Sequence, residues 1–178
     1  HYNLGLAYFD KQDFNKAIVH FEKTIEINSK HGFALNNLGI AFFKLGKMKQ
    51  SSDAYQKALE LNPNHLEALY NFGSALVKLN KIDEAINMYN KAINISPYFF
   101  QAHYELTHLK KFTKDDPHLQ LLKELPIKKQ LNRKDLTKYH YTYGKALDDI
   151  GEYDDAFYHY ELANQKVSQL TPKNKTDT

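Results

Sequence analysis

The chain has no cysteine and no tryptophan, and only seven glycines and five prolines in 178 residues. Without cysteine there is no disulfide, no thiolate nucleophile and no cysteine zinc site. Lysine plus arginine number 24 against 21 aspartates and glutamates, a net charge of +3. That excess is too small to point to nucleic acid through phosphate neutralisation, and no nucleic-acid partner is expected. Apolar runs fall far short of the ~20 residues a membrane span needs. No signal-peptide core is present, so no membrane association and a cytoplasmic location are expected. What is abundant is bulky packing material: 13 tyrosines and 11 phenylalanines in a chain that is 42% hydrophobic, enough for an ordered core.

The strongest pattern is a repeat. Asn3-Leu4-Gly5 returns as Asn37-Leu38-Gly39 and as Asn71-Phe72-Gly73, each time 34 residues on. Phe21, Tyr55 and Tyr89 keep that period, as do Ala17, Ser51 and Ala85, and Ile27, Leu61 and Ile95. A period of this length marks stacked helical hairpins, none of which can bury its apolar face alone. Such stacks present surfaces to partners, so the first question is what the array holds.

Apolar spacing within each repeat is helical. It predicts helices over 1–10 and 14–27, 33–45 and 48–61, then 67–79 and 82–95. In the second repeat Tyr55, Ala58, Leu59 and Leu61 are expected to face inward, and Gly46-Lys47 to make the turn. Asn62-Pro63 and Ser96-Pro97 stop the second helices, with proline suited to the first turn of the next. Gly5, Gly39 and Gly73 fall mid-helix, where glycine costs about 1 kcal/mol against alanine. Close approach of Phe21, Tyr55 and Tyr89 from the paired helices would offset that cost.

After Pro97 the phase slips. Residues 101–112 read as a first helix with Thr107 in place of glycine. A short apolar helix follows, carrying Leu119, Leu121, Leu122 and Leu125 and ending at Pro126. A last hairpin covers 136–150 and 153–167, turning at Gly151. Gly73 to Gly144 is 71 residues, two periods plus three, which fits one degenerate unit with a small insertion. The expected organisation is three regular units over 1–100, the first truncated at its N-terminus, a degenerate unit over 101–132, a final hairpin over 133–168 and a polar tail or linker over 169–178. His1 falls inside a repeat, so the chain reads as a piece of a longer protein.

The order Leu-Gly, large residue, small, aromatic, small, proline resembles the tetratricopeptide repeat. In the third unit it reads Phe72-Gly73, Leu76, Ala85, Tyr89, Ala92, Pro97. The resemblance implies an all-α, right-handed α-solenoid of stacked antiparallel hairpins, about five units, the fourth degenerate. Ser51 and Thr24 depart from small alanines and Ser29 from the closing proline. Leu35 and Leu69 stand where tryptophan is favoured.

Two further segments, Leu109-Lys110-Lys111-Phe112 with Asp115-Asp116-Pro117, and Gly144-Lys145-Ala146-Leu147-Asp148-Asp149-Ile150-Gly151-Glu152-Tyr153-Asp154-Asp155-Ala156-Phe157, resemble the repeats that precede the catalytic domain of bacterial tetratricopeptide sulfotransferases. That likeness implies a parent enzyme using 3′-phosphoadenosine 5′-phosphosulfate. The phosphosulfate would need a strand–loop–helix with nearby arginine and serine. Here the seven glycines lie at helix crossings, turns or junctions, and Arg133 is the only arginine. No catalytic residue and no cofactor is therefore expected in this chain, and the catalytic domain would follow Thr178.

The first helices of such a solenoid line its concave face, and the ladder Asn3, Asn37, Asn71 lies on them. An amide donates and accepts at once, so residues spaced by one repeat could clamp an extended peptide backbone. Similarly placed asparagines serve the long superhelix of O-GlcNAc transferase, whereas a purely structural ladder would only tie neighbouring helices together. Tyr2, Phe9, Asn36, Phe43, Lys44, Tyr70, Ser74, Lys78, Tyr104 and His108 are neighbouring groove candidates. The basic groove with which some members of the family hold a C-terminal carboxylate is not evident, since Tyr2, Leu6 and Glu67 occupy its positions. Chaperone recruitment through acidic tails is not expected.

The nine histidines show no metal-ligand spacing, and no metal is expected. His140 and His159 sit in aromatic runs that suit a hairpin interface. Residues 110–138 hold nine basic and four acidic groups, and residues 139–165 hold six acidic and one basic. A solvated surface explains that segregation, or a docking face for a following domain. The function expected is a protein- or peptide-binding scaffold beside a sulfotransferase domain. The alternatives are the superhelix of an O-GlcNAc-type glycosyltransferase and a free-standing assembly adaptor.

Overall fold

The computed structural model describes residues 1–128 and 131–168, with side chains over 1–125 and 131–165. The expected polar tail over 169–178 lies outside the described residues. Among them there are ten α-helices and no strand. The helices are α1 (Tyr2–Asp10), α2 (Phe14–Ile27), α3 (Gly32–Lys44), α4 (Met48–Leu61), α5 (Leu66–Lys78), α6 (Ile82–Ile95), α7 (Phe100–Leu109), α8 (Pro117–Lys128), α9 (Arg133–Asp149) and α10 (Tyr153–Ser168). They form two compact units, His1–Ser96 and Pro97–Thr178.

The first unit is a solenoid of three antiparallel hairpins, α1–α2, α3–α4 and α5–α6, each packed on the next through α2–α3 and α4–α5. A recurring turn closes each hairpin. Gln12, Gly46 and Asn80, one period apart, all take the left-handed backbone, with φ of 60°, 75° and 58°. The N–H one residue on then returns to a carbonyl five residues back: Asp13 to Tyr8, Lys47 to Phe42 and Lys81 to Leu76, each at 2.9 Å. Only Gly46 meets this conformation without steric strain from a Cβ.

The mid-helix glycines are contact points. A Cβ on Gly5, Gly39 or Gly73 would lie 2.6 Å from the ring of Phe21, Tyr55 or Tyr89 respectively. Those three rings are fully buried and form the centre of each hairpin. Burial also pushes the Tyr55 hydroxyl well above the usual tyrosine pKa, against a smaller opposing effect of Ser51. The hydroxyl of Ser51, buried where alanine is usual, donates to the Gly39 carbonyl at 2.8 Å and ties the same crossing.

Two local expectations are corrected. Leu61 does not face inward: like Ile27 and Ile95 it is exposed, because it lies roughly a quarter-turn around its helix from the buried stripe of Ser51, Ala54, Tyr55 and Ala58. Pro63 lies in the turn before α5, not in its first turn. His65 takes the N-cap instead, and its Nδ1 accepts from the Ala68 N–H at 3.4 Å. His31 caps α3 in the same way, 3.1 Å from the Ala34 N–H.

The second unit is built differently. α7 and α8 both pack on α9, which pairs with α10 as the last hairpin. Phe100, Phe112, Leu119, Leu122, Leu125 and Tyr139 form its core. α7 stops at Leu109, three residues earlier than its spacing suggests, and Phe112 reaches the core from the connecting loop. α8 runs through Pro126 to Lys128. Proline so near a helix end removes only one intrahelical bond, to the Leu122 carbonyl, so the helix does not break there. α9 begins at Arg133, three residues before the apolar stripe, because Asn132 caps it by accepting from the Asp135 N–H at 2.9 Å. Gly144 repeats the glycine crossing more loosely, with Tyr160 ring atoms 3.1 Å from the position of a Cβ.

Candidate partner-binding surface

Asn3, Asn37 and Asn71 come from equivalent turns of α1, α3 and α5, because the hairpins of the first unit repeat in register. Asn3 is exposed, and Asn37 and Asn71 are half-buried. Their amides reach back one repeat. Asn37 Nδ2 donates to the Tyr2 hydroxyl at 3.0 Å, and Asn71 Nδ2 donates to Asn36 Oδ1 at 3.3 Å. Each bond spans 35 residues and holds one first helix against the preceding one, leaving the amide oxygens of Asn37 and Asn71 as acceptors.

Asn36 is therefore a strut between α3 and α5. It is buried, and its oxygen is engaged by Asn71. Position 36 lies one residue from the exposed stripe of α3, far enough around the helix to turn it under α5. Ser74 is also committed, with Oγ 3.2 Å from the Tyr70 carbonyl and 3.1 Å from the Tyr89 hydroxyl. Tyr70 is half-buried, its ring tilted on Tyr89 at 5.9 Å. Lys44 and Lys78 stand exposed in the last turns of α3 and α5, one period apart, with no ion-pair partner among the described residues. There a cation faces the negative end of its own helix. Phe9 and Phe43 are half-buried, Phe9 edge-on to Phe14 at 5.2 Å.

Tyr104 and His108 belong to the second unit and form a pair of their own. His108 Nδ1 donates to the Tyr104 carbonyl at 2.7 Å, and the rings lie 4.5 Å apart. Thr107 beside them is buried and bonded to the same carbonyl at 2.7 Å, filling the position that glycine holds elsewhere.

The two C-terminal sequence segments meet in space. The Phe112 N–H donates to Asp149 Oδ2 at 3.1 Å, and Lys145 pairs with the same carboxylate. Lys110 Nζ lies 2.6 Å from Asp116 Oδ2 and 4.6 Å from the centre of the Phe112 ring. Burial opposes ionisation of Asp116, yet hydrogen bonds from Lys110 and the His118 N–H, with their charges, hold its pKa below the usual carboxylate range. These motif residues thus close the loop between α7 and α8 onto α9.

Sequence reasoning missed a buried histidine pair at the same joint. His103 Nδ1 and His118 Nε2 are 2.6 Å apart, and His103 Nε2 donates to the Pro97 carbonyl at 2.9 Å. That network makes His103 Nδ1 the acceptor and leaves His118 Nδ1 buried without a hydrogen-bond partner. No spacing rule signals such a pair, since 15 residues and a loop separate them. His140 and His159 also meet, Nδ1 to Nδ1 at 2.9 Å, in the α9–α10 interface beside Tyr139 and Tyr143.

Profiles described as tetratricopeptide repeat match residues 1–31 and 32–97. The chain belongs to the tetratricopeptide-repeat family. Among solved structures, a crystal structure of MamA is similar at 21% identity and a TM-score of 0.72, over 93% of this chain and 95% of that one. The first repeat region of Spaghetti (RPAP3), bound to the HSP90 peptide SRMEEVD, is similar at 25% identity and a TM-score of 0.60, over 61% of this chain and 86% of that one. The second repeat domain of human RPAP3, in complex with the HSP70 peptide SGPTIEEVD, is similar at 23% identity and a TM-score of 0.59, over 61% of this chain and 91% of that one. No curated protein matches significantly. A tetratricopeptide fold is a scaffold for binding and is typically not itself catalytic. Among the described residues no helix is long and apolar enough to cross a membrane.

Proposed function

We propose that the first unit is a cytoplasmic, non-catalytic scaffold that binds an extended segment of a partner protein across α1, α3 and α5, without a cofactor. The observation that carries this reading is the set of amides on successive first helices, 34 residues apart, with Lys44 and Lys78 at the same interval. Asparagine oxygens at that spacing would accept peptide N–H groups, and the lysines would take carbonyl or carboxylate oxygens. The Spaghetti repeat, 25% identical, supports peptide binding by this kind of array. An acidic tail does not suit this chain as well, because exposed Glu67 stands at the start of α5 and would repel it.

Peptides selected from a random 12-residue display library supply the test. Asn37→Ala with Asn71→Ala should weaken binding of one peptide class at least tenfold, with the helical circular dichroism unchanged. Tyr2→Phe removes the bond to Asn37 but leaves its amide, and should leave that affinity within twofold. Equal losses in both variants would return the ladder to a purely structural role.

A second, finer reading concerns the parent protein. The resemblance of segments 109–117 and 144–157 to the repeats that precede such a domain supports a scaffold that positions the acceptor of a sulfotransferase, ahead of an O-GlcNAc-type glycosyltransferase or a free adaptor. The coding sequence beyond Thr178 decides it. A strand, phosphate loop and helix would support sulfate transfer, a nucleotide-sugar domain the glycosyl alternative, and a stop codon the adaptor.

A further inference from the structure

The first unit has a second concavity, on the side of α3 away from Asn37 and Lys44. Here α2 and α4 part above α3 and leave a groove of about 460 Å³. Its floor is apolar, made by Ile25, Leu35, Leu38, Phe42 and Ala54. Its rim carries Glu22, Glu26 and Asp53, all exposed, with Lys57 the one basic residue in the lining. None of these three carboxylates has an ion-pair partner among the described residues.

The next repeat provides an internal comparison. The equivalent groove, above α5 and between α4 and α6, has only about 270 Å³. Met88 stands there in place of Ala54 and fills part of the space. Gln56 replaces Glu22, and Asn87 replaces Asp53, each the amide of the acid one period earlier. Glu60 and Lys91 repeat Glu26 and Lys57. The same backbone is thus built with neutral amides at both positions, so packing does not require the charges at 22 and 53. The opening at Ala54 and the carboxylates at 22 and 53 distinguish the first groove, whereas its rim residue Gln50 becomes Glu84 in the next repeat, where that carboxylate is paired with Lys81.

We propose that the groove between α2 and α4 docks a basic segment of a partner protein. One aliphatic or aromatic side chain sits on the Leu35–Leu38–Phe42 floor, and flanking lysines or arginines pair with Glu22, Glu26 and Asp53. Apolar burial supplies the attraction and the carboxylates, close to a low-dielectric floor, select the charge. This site is independent of the amide ladder and faces away from it.

The display library that tests the ladder also separates the two surfaces. A groove-specific class should carry a bulky apolar residue within three positions of lysine or arginine. It should lose at least tenfold in affinity, by fluorescence anisotropy, on Glu22→Gln/Asp53→Asn/Ala54→Met, which copies the next repeat. The charge-only pair Glu22→Gln/Asp53→Asn, at exposed positions that leave the core untouched, should lose at least threefold, with a reduced salt dependence. The Asn37→Ala/Asn71→Ala variant should bind this class unchanged. Failure to enrich such peptides, or affinities unaffected by both groove variants, would overturn the proposal. Self-association in sedimentation that the groove variants abolish would assign the groove to a second copy and overturn it as well.

Discussion

At the scale of single residues the fold depends on a few close contacts between a glycine and a ring. Tyr55 has almost no free surface, so its ring cannot swing aside to admit a methyl group on Gly39. Gly39→Ala gains about 1 kcal/mol in helix propensity but forces an overpacked crossing that costs about 1–3 kcal/mol or more. Net destabilisation of up to about 2 kcal/mol is expected in urea denaturation monitored by circular dichroism. Gly32→Ala is the control. Nothing lies within 4 Å of a Cβ there, so it should be neutral or stabilising by up to about 1 kcal/mol. Equal losses in the two variants would refute the contact explanation. The asparagines work at this scale too, but as pairs across repeats, and for that reason Tyr2→Phe has to accompany Asn37→Ala in any binding experiment.

At the scale of elements, α9 organises the second unit because one of its carboxylates fixes a loop. Asp149 accepts from the Phe112 N–H and pairs with Lys145, which places the Phe112 ring in the core. Asp149→Ala leaves that N–H without its partner in a half-buried setting and should cost about 1–3 kcal/mol. Hydrogen exchange at Phe112 should accelerate strongly, while α3 and α5 keep their protection; unchanged exchange at Phe112 would refute the joint. The helical repeat and the glycine–ring crossings were legible in the sequence, because both follow from a strict 34-residue period. The asparagine positions were legible on the same ground, but their bonds to Tyr2 and Asn36 were not, since a 35-residue offset between side chains breaks the register of the pattern. The histidine caps of α3 and α5 escaped because histidine is not among the favoured capping residues. The joint at Asp149 escaped because the motifs carrying it were read as a family signature, although their residues bond to one another.

At the scale of the whole molecule the two units differ in what acid does to them. The His103–His118 pair lies in the second unit, among Lys110, Asp116 and the Pro97 carbonyl. Burial lowers the His103 pKa from 6.5 to about 4, against the opposing pull of the Pro97 carbonyl. Burial, followed by the charges of His103 and Lys110, lowers that of His118 to about 3, with Asp116 opposing. Both imidazoles are therefore neutral in the folded protein at pH 5, whereas in the unfolded chain they are charged below about 6.5. The unfolded state binds more protons in that window, so stability is complete above pH 6.5 and falls as pH drops toward 4 and then 3. From pH 7 to pH 5 the loss is up to about 4 kcal/mol for two such groups. Unit one holds no buried histidine pair among its described residues, since His1 and His20, with ring nitrogens 3.2 Å apart, meet at the surface. Hydrogen exchange of α7 and α8 should therefore rise on acidification to pH 5, after correction for intrinsic rates, before that of α3 and α5. His103→Phe with His118→Leu replaces the pair by apolar groups of similar size and should flatten the dependence between pH 7 and 5. A second unit whose protection at pH 5 equals that at pH 7 would show that the imidazoles are not held neutral by burial.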